Sequence, residues 1–347
     1  MHHWLPTEAV TRADGMRRDR VEIMVKAVRV AAYGGPEVLK FEDVTVPPPG
    51  PNEVRIRHKA IGLNYIDTYF RTGLYPAPVM PFTPGQEAAG VIAAVGADVK
   101  GFKVGDHVGY VGGLGAYAEE RNVSASILMK LPKTVKFETA AAIMLKGLTA
   151  EYLLFRTFKV KKGHTVLIHA AAGGTGSILV QWARSLGATV IGTAGSPEKV
   201  KLAKKHGCHH VIDYSKEDFP TRVKEITKGA LCDVVYDGVG KSTFPASLDC
   251  IKPFGTFVSF GNASGSVEAF DLGLLAKKGS LYATRPTLMT HIANPKTFAA
   301  MAKRLFGAVA DGTLKIAAPT KMPLAEVAKA HMALQGRQTT GSTVFIP

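Results

Sequence analysis

The sequence predicts an α/β protein in which a doubly wound parallel-sheet domain is set into a β-rich one. Three observations predict this. The chain opens with short β-branched runs cut by Gly, Pro and Asn. From residue 165 apolar runs alternate with helical segments. A glycine-rich turn stands at the head of that alternation. At 347 residues the chain has room for two or three domains.

The elements follow in order. Residues 1–23 hold four arginines and four acids and lack the apolar stretch of a secretory signal, so they read as a loose extension before a domain starting near Met24. VKAVRVAAYG, VLKFEDVTV and EVRIRHKAIGLN are strand-like, and the prolines of PPPGPNE interrupt them because proline supplies no backbone donor. Further strands are expected in AAGVIAAVG, GDHVGYV and ILMKLP, which makes the first domain an antiparallel barrel or sandwich. FETAAAIMLKGLTAEYLLF is helical, with Gly147 and Thr149 as possible interruptions. TVLIHA has the continuous apolar character of a buried parallel strand. After the glycine turn come SILVQWARSLG (helix), ATVIGTA (strand), PEKVKLAKKHG (helix), HHVIDY (strand), DFPTRVKEITKG (helix) and CDVVYDGVG (strand). KSTFPASLDCI is read as another helix, and GTFVSFG and KGSLYATR as the last strands. Two helices are expected in PKTFAAMAKRLFGAVADG and LAEVAKAHMALQG, and the STVFIP strand is expected to return to the first domain.

Composition narrows the function classes. Lys and Arg number 43 against 28 Asp and Glu, a formal charge of +15 that favours anionic partners. A nucleic-acid role is therefore weighed, on the lysines of 159–162 and 199–205. No nucleic-acid module is recognised, however, and aromatics do not interleave with that charge, so nucleic acid is not the expected primary partner. Three cysteines cannot all pair internally, which excludes a disulfide scaffold and suits a reducing, cytoplasmic setting. No run of 18 apolar residues suggests a membrane span.

The chemistry-bearing motif is TVLIHAAAGGTGSILVQWA. Aligned with G-x-G-x-x-G it supplies Ala171, Gly173 and Gly176, with Gly174 in addition. Gly173 lets backbone approach a pyrophosphate, Gly176 permits close helix–strand packing, and the helix N-terminus faces the anion. Ala171 in the first glycine position requires a turn at negative φ. An NAD-binding second strand usually ends in an acid; here it ends Thr193-Ala194-Gly195-Ser196. Ser196, Lys199 and Tyr214 instead suit a 2′-phosphate, pointing to NADPH, although Lys199, Lys201, Lys204 and Lys205 would equally form a solvated helix face. Glu198, after Pro197, reads as helix-end electrostatics. The cluster His206, Cys208, His209 and His210 falls on a helix-to-strand turn, where the side chains diverge, and no cysteine pair has zinc spacing. With no nucleophile elbow, the cofactor is left to carry the reaction. In GLNYIDTYFRTGLY, Asn64, Tyr69 and Tyr75 are candidates to line an acceptor site, while Tyr65, Tyr69 and Phe70 serve equally as core aromatics. Asp67 reads as a cap or turn carboxylate, and Arg337 as a phosphate ligand or a loop charge.

These segments, with PFTPGQEAAGVI (81–92), KGLTA (146–150), VVYDGVG (234–240), VSFGNASG (258–265), KGSLYATRP (278–286) and the ending TTGSTVFIP, resemble the zinc-independent, zeta-crystallin-like NADPH:quinone oxidoreductases of the medium-chain dehydrogenase/reductase superfamily. The resemblance covers nearly all of 24–347. It implies a GroES-like catalytic domain from 24–148 and 286–347, with an inserted Rossmann-type NADPH-binding domain at 149–285 and the cofactor in the cleft between them. It implies that Asn64, Tyr69 and Tyr75 line the quinone and nicotinamide site. Lys146, Thr149, Gly173, Gly174, Thr175, Gly176, Ser196, Lys199, Tyr214, Phe260, Asn262 and Arg337 would surround the cofactor. Gly85-Gln86-Glu87 stands where zinc-dependent relatives carry G-H-E, so no metal is expected. The implied assembly is a homodimer through the strand near 278–285, or a tetramer. The implied reaction is NADPH-dependent quinone reduction, with enone or alkenal double-bond reduction as the alternative enzyme reading. An RNA-binding protein carrying NADPH is the alternative from another class.

Overall fold

In the computed structural model residues 21–347 are described. The extension expected at 1–23 therefore lies, except for its last three residues, outside the described residues. The chain divides into two compact units. Of the described residues, one comprises 21–144 with Pro319–Gly336 and Thr343–Pro347, the other Leu145–Ala318 with Arg337–Ser342.

The first unit is built on β3 (Glu53–Gly62), whose Val54, Ile56 and Ala60 alternate into the core. It follows a hairpin-like antiparallel pair, β1 (Ile23–Arg29) and β2 (Lys40–Val46). Along β3 lie β4 (Glu87–Val95) and β6 (Glu120–Ser124), both antiparallel. β5 (His107–Val111) pairs with β4, and β7 (Leu128–Lys130) with β5. Register shifts at Arg55/Ile56 and His58/Ala60 bend β3, as bulges do. The last segment returns as expected: β15 (Thr343–Ile346) joins β3 antiparallel, and β14 (Thr320–Pro323) joins β15 in parallel. The sheet order is thus β14-β15-β3-β4-β5-β7, with β6 on β3. Val54, Ile56, Ile61, Ile92, Tyr110, Tyr117 and Phe345 fill its core. Helix α1 (Tyr65–Thr72) follows β3 directly, and α9 (Val327–Gln335) precedes β15. Helix α2 (Phe137–Tyr152) runs through Gly147 and Thr149 without a break, and the division between units falls inside it.

The second unit is a six-stranded, wholly parallel sheet. Its strands are β8 (Thr165–Ile168), β9 (Thr189–Ala194), β10 (His210–Asp213), β11 (Cys232–Asp237), β12 (Ile251–Ser259) and β13 (Tyr282–Thr284). Their order, β10-β9-β8-β11-β12-β13, is the dinucleotide-fold order 3-2-1-4-5-6. Val166, Leu167 and Ile168 of β8 are wholly buried, which is why that run shows no polar alternation. The connecting helices are α3 (Gly174–Ser185), α4 (Pro197–His206) and α5 (Phe219–Ile226), followed after β12 by α6 (Gly273–Lys277), α7 (Leu288–Ile292) and α8 (Pro295–Ala310).

One expectation needs correction. No α-helix spans KSTFPASLDCI: the connection is a turn closing in a 3₁₀ segment, Ala246–Cys250. Pro245 lacks the N–H a helix there would need and disfavours helical backbone at Phe244. By packing, residues 286–318 group with the parallel-sheet unit, while domain bounds at 24–148, 149–285 and 286–347 stay a proposal from the resemblance. Helix α8 explains this, because Phe298, Met301, Ala302 and Leu305 form its buried face. A Cβ on Gly147 would come within 2.5 Å of Leu305 Cδ1, so the missing side chain makes room for that packing.

Candidate active site

In the parallel-sheet unit the site is the turn from β8 to α3. The left-handed residue is Ala170 (φ 51°), one position before the aligned Ala171, so the turn's positive φ falls on the alanine before the motif and Ala171 is spared it. Gly173 N–H closes the turn on Ala170 O at 2.9 Å, and Ala171 N–H donates to Thr193 O at 3.0 Å. Gly173 is the extended N-cap (φ −74°, ψ 171°), and the first intrahelical bond runs from Ser177 N–H to Gly173 O at 2.8 Å. The first-turn N–H groups of Gly174, Thr175 and Gly176 thus stand ahead of that bond at the positive end of the helix. A Cβ on Gly173 would meet only Ala170 O, at 3.2 Å, whereas one on Gly176 would lie 2.2 Å from that oxygen. The first glycine leaves backbone open to a ligand, and the second seats the helix on the turn. Gly174 is crossed by the stem of Lys146, whose Cδ would lie 2.7 Å from a Cβ there. Lys146 and Thr149 are buried neighbours on α2.

The end of β9 gathers four expected residues. Ser196 caps α4, its Oγ accepting from Lys199 N–H at 3.3 Å. Lys199 Nζ donates to Arg337 O at 2.6 Å. Burial first, and the Arg337 charge second, lower the Lys199 pKa. Tyr214 lies across Gly195, where a Cβ would stand 2.4 Å from its Oη. Glu198 is fully exposed, and its carboxyl is held below its ordinary value by its own N–H and by Ser196, in keeping with a helix-end role. Gly341 forms a parallel bridge with Gly173, which brings the 337–342 segment against the turn. Phe260 and Asn262 lie beyond β12, beside the 238–240 loop. Phe260 N–H donates to Asp237 O at 2.8 Å, and the phenyl ring would meet a Cβ on Gly238 at 2.9 Å.

In the first unit Asn64 is the N-cap of α1. Its N–H donates to Asp67 Oδ2 at 2.8 Å, and its Nδ2 donates to Glu87 Oε1 at 2.6 Å. Both partners are buried, and Gly62 makes the approach possible: a Cβ there would sit 2.3 Å from Glu87 Oε1. Tyr69 is buried, with Tyr75 edge-on at 5.2 Å and Tyr65 tilted at 5.8 Å.

Sequence reasoning missed what lies beneath α1. Tyr117 Oη donates to Asp67 Oδ2 at 2.7 Å and stands 3.2 Å from His331 Nε2, while Arg71 Nη1 stands 3.2 Å from His331 Nδ1. Arginine only donates, so Nδ1 accepts and Nε2 carries the proton towards Tyr117. His331 is therefore neutral, its pKa lowered to about 3 by burial and then by Arg71. Burial and the Asp67 charge push the Tyr117 phenol well up. His331 lies 260 residues from Arg71, and no local signal announces the pair. Glu87 was quoted only as the residue after Gln86; its buried partner is what marks it.

Cys208, Cys232 and Cys250 are buried and unpaired. His209 Nδ1 accepts from Val190 N–H at 3.0 Å, and among the described residues no three His, Cys, Asp or Glu lie together as a metal would require. Also among them, no helix is long and apolar enough to cross a membrane.

The alcohol dehydrogenase GroES-like domain family matches residues 50–133, and the family described as zinc-binding dehydrogenase matches 174–312. Over 325 residues the chain is 53% identical to a quinone oxidoreductase of Pseudomonas aeruginosa, covering 93% of this chain and all of that one. It is 47% identical to a 2-haloacrylate reductase of a Burkholderia species, covering 93% and 99%. The crystal structure of Escherichia coli quinone oxidoreductase complexed with NADPH superposes with a TM-score of 0.91 at 45% identity, covering 93% and 100%. With this identity sustained along both units, the chain belongs to the zeta-crystallin-like quinone oxidoreductase family of the medium-chain dehydrogenase/reductase superfamily.

Proposed function

We propose that the protein is an NADPH-dependent quinone oxidoreductase. The observation that carries the cofactor reading is the end of β9: Gly195-Ser196 stands where a ribose-binding acid would, with Lys199, Tyr214 and Arg337 alongside. Gly173 to Gly176 would hold the pyrophosphate on the first-turn N–H groups, and Ser196, Lys199 and Tyr214 the 2′-phosphate. When bound, NADPH supplies the two-electron reducing equivalent. The chain's own part is orientation and charge. Glu87, as a carboxylate, accepts only, so Nδ2 of Asn64 must face it, and the amide cannot turn over. We assign that amide's second N–H to the acceptor carbonyl, where it stabilises negative charge developing on oxygen. Tyr69 and Tyr75 support this corner, and water supplies the proton.

A second reading is reduction of a C=C bond conjugated to a carbonyl, favoured by the likeness to a 2-haloacrylate reductase. The same donor would serve a conjugated carbonyl oxygen. The test is oxidation of NADPH and NADH by the purified protein with 1,4-benzoquinone, 2-chloroacrylate or an alkenal, with and without a chelator. Fast, NADPH-preferring turnover of benzoquinone that ignores the chelator supports the first reading; turnover of the alkenes alone moves the assignment to the second.

The assembly we propose is a homodimer through β13. All three of its residues are exposed at the edge of the six-stranded sheet, and Tyr282 is 64% exposed. Light scattering with an Ala283→Pro variant tests it, the expected result being a halved mass. Three buried thiols without disulfides suit a reducing cytoplasm.

A further inference from the structure

A chain of buried polar side chains crosses three adjacent strands of the parallel sheet at their carboxyl ends. Thr193 lies near the end of β9, His169 just past β8, and Asp237 at the end of β11. With Ser247 all four are buried. His169 Nδ1 stands 3.0 Å from Thr193 Oγ1, and Nε2 stands 3.0 Å from Ser247 Oγ. Asp237 accepts four hydrogen bonds. Oδ1 takes the N–H groups of Val239 (2.8 Å) and Gly240 (3.0 Å); Oδ2 takes the hydroxyls of Thr243 (2.7 Å) and Ser247 (3.0 Å).

Proton bookkeeping gives the chain a direction. Ser247 has one hydroxyl hydrogen, and Asp237 Oδ2 and Thr243 O are both acceptors competing for it. Ser247 Oγ can therefore only accept from His169, so His169 carries its proton on Nε2. Nδ1 then accepts, and Thr193 is the donor. The order is Thr193 to His169 to Ser247 to Asp237, every member satisfied and the charge at one end. Burial lowers the His169 pKa against the pull of Asp237, consistent with a neutral imidazole.

The position is what makes this more than a core network. Backbone bonds already join these strands, His169 N–H to Tyr236 O at 3.1 Å and Ala171 N–H to Thr193 O at 3.0 Å. The side chains add a fixed spacing of the strand ends. They also anchor the 238–240 loop, on which Phe260 and Gly261 lie: a Cβ on Gly261 would come 2.4 Å from Gly238 O. In open parallel sheets ligands bind outside those ends. We infer that Thr193, His169, Ser247 and Asp237 are positioning residues for the dinucleotide, holding the β8–α3 turn and the 238–240 loop at the separation that NADPH spans. This rests on the NADPH reading above.

The test is the NADPH dissociation constant by calorimetry, with melting temperature and steady-state kinetics, for wild type and for Thr193→Val, Thr193→Ser and Ser247→Ala. Thr193→Val removes the one buried hydrogen bond to His169, and Ser247→Ala removes both the acceptor for His169 and the donor to Asp237. Both should weaken NADPH about tenfold, with the kinetic loss concentrated in the KM for NADPH and the KM for quinone unmoved. Thr193→Ser, which keeps the hydroxyl, should restore wild-type affinity. Lowered melting temperatures with unchanged NADPH affinity overturn the proposal, since a purely structural network gives that result. Failure of Thr193→Ser to restore affinity also overturns it, because bulk and not the hydroxyl would then matter. A wild-type protein that binds neither dinucleotide overturns the cofactor reading itself, a result visible before any variant is made.

Discussion

Replacing Asn64 with alanine separates its structural work from its chemical work. The substitution removes the 2.6 Å bond to Glu87 and leaves a wholly buried carboxylate short of one donor. A hydrogen bond to a charged group contributes about 1.5–3 kcal/mol, and loss of an Asn cap about 1 kcal/mol more. Together they lower the free energy of opening α1 by about 2.5–4 kcal/mol, or roughly two to three decades in exchange rate. Hydrogen exchange on the peptide containing residues 65–72 reads this directly. Glu87→Gln, which keeps a neutral acceptor, should cost about 1 kcal/mol there. On the chemical side, loss of one donor to a developing oxyanion predicts about a hundredfold fall in kcat/KM for benzoquinone. Glu87→Gln should give an intermediate fall, since a glutamine amide can also donate and no longer dictates which way Asn64 faces. Unchanged protection in Asn64→Ala would refute the buried-pair energetics. Lost protection with unchanged kcat/KM would leave the cap intact as an explanation and refute the acceptor assignment.

Other consequences are as direct. Burial holds His58 at about 4 and His331 at about 3, below the ordinary 6.5, so the unfolded chain takes up protons first as pH falls. Stability is full above pH 6.5 and drops by about 1.4 kcal/mol per pH unit per histidine below it. Urea melts at pH 7 and pH 5 should differ by about 4 kcal/mol from this pair; His331→Gln should flatten the slope, and a flat wild-type profile would contradict both assignments. Gly176→Ala drives a methyl to 2.2 Å from a backbone oxygen that cannot step aside, so a loss of about 3 kcal/mol or more is expected in thermal melts. Lys199→Ala should weaken NADPH at least tenfold and leave NADH within about twofold by calorimetry; equal losses for both would remove Lys199 from the phosphate site.

What was legible in the sequence follows from how local each signal is. The β8–β10 alternation was readable because β8 and β9 are almost wholly buried and mostly apolar, and the helices between the strands carry clear stops at Gly187 and Gly207. The start of α4 at Pro197 and the glycine turn were readable for the same reason, since their signals lie within a few residues. The β11–β12 connection was misread because Ala, Ser and Leu around Pro245 resemble helix, while the consequence of one missing N–H is decided by geometry. The apolar stripe of α8 announces a buried face without saying which core buries it. Asn64 stands out in the sequence and its partner Glu87 does not, because their bond spans 23 residues and two elements.

Five glycines, one beside Asn64 and four in the parallel-sheet unit, share a property that the glycine motif does not announce. Gly62, Gly176, Gly195, Gly238 and Gly261 avoid the left-handed region, so none is there for backbone freedom. Each instead marks a place where another group occupies the space a Cβ would take. The groups differ in how they can respond. At Gly176 and Gly261 the neighbour is backbone, and any side chain must displace a turn. At Gly195 it is the Tyr214 phenol, the end of a side chain that can swing away. At Gly62 it is both: Glu87 Oε1 and the Ala141 carbonyl, each 2.3 Å from where the methyl would stand. A methyl at Gly195 therefore disturbs the corner of Ser196 and Tyr214 while sparing the fold. One at Gly62 disturbs the fold and the Asn64–Glu87 pair at once, because the same missing atom that lets α2 backbone come close also lets the carboxylate reach the amide.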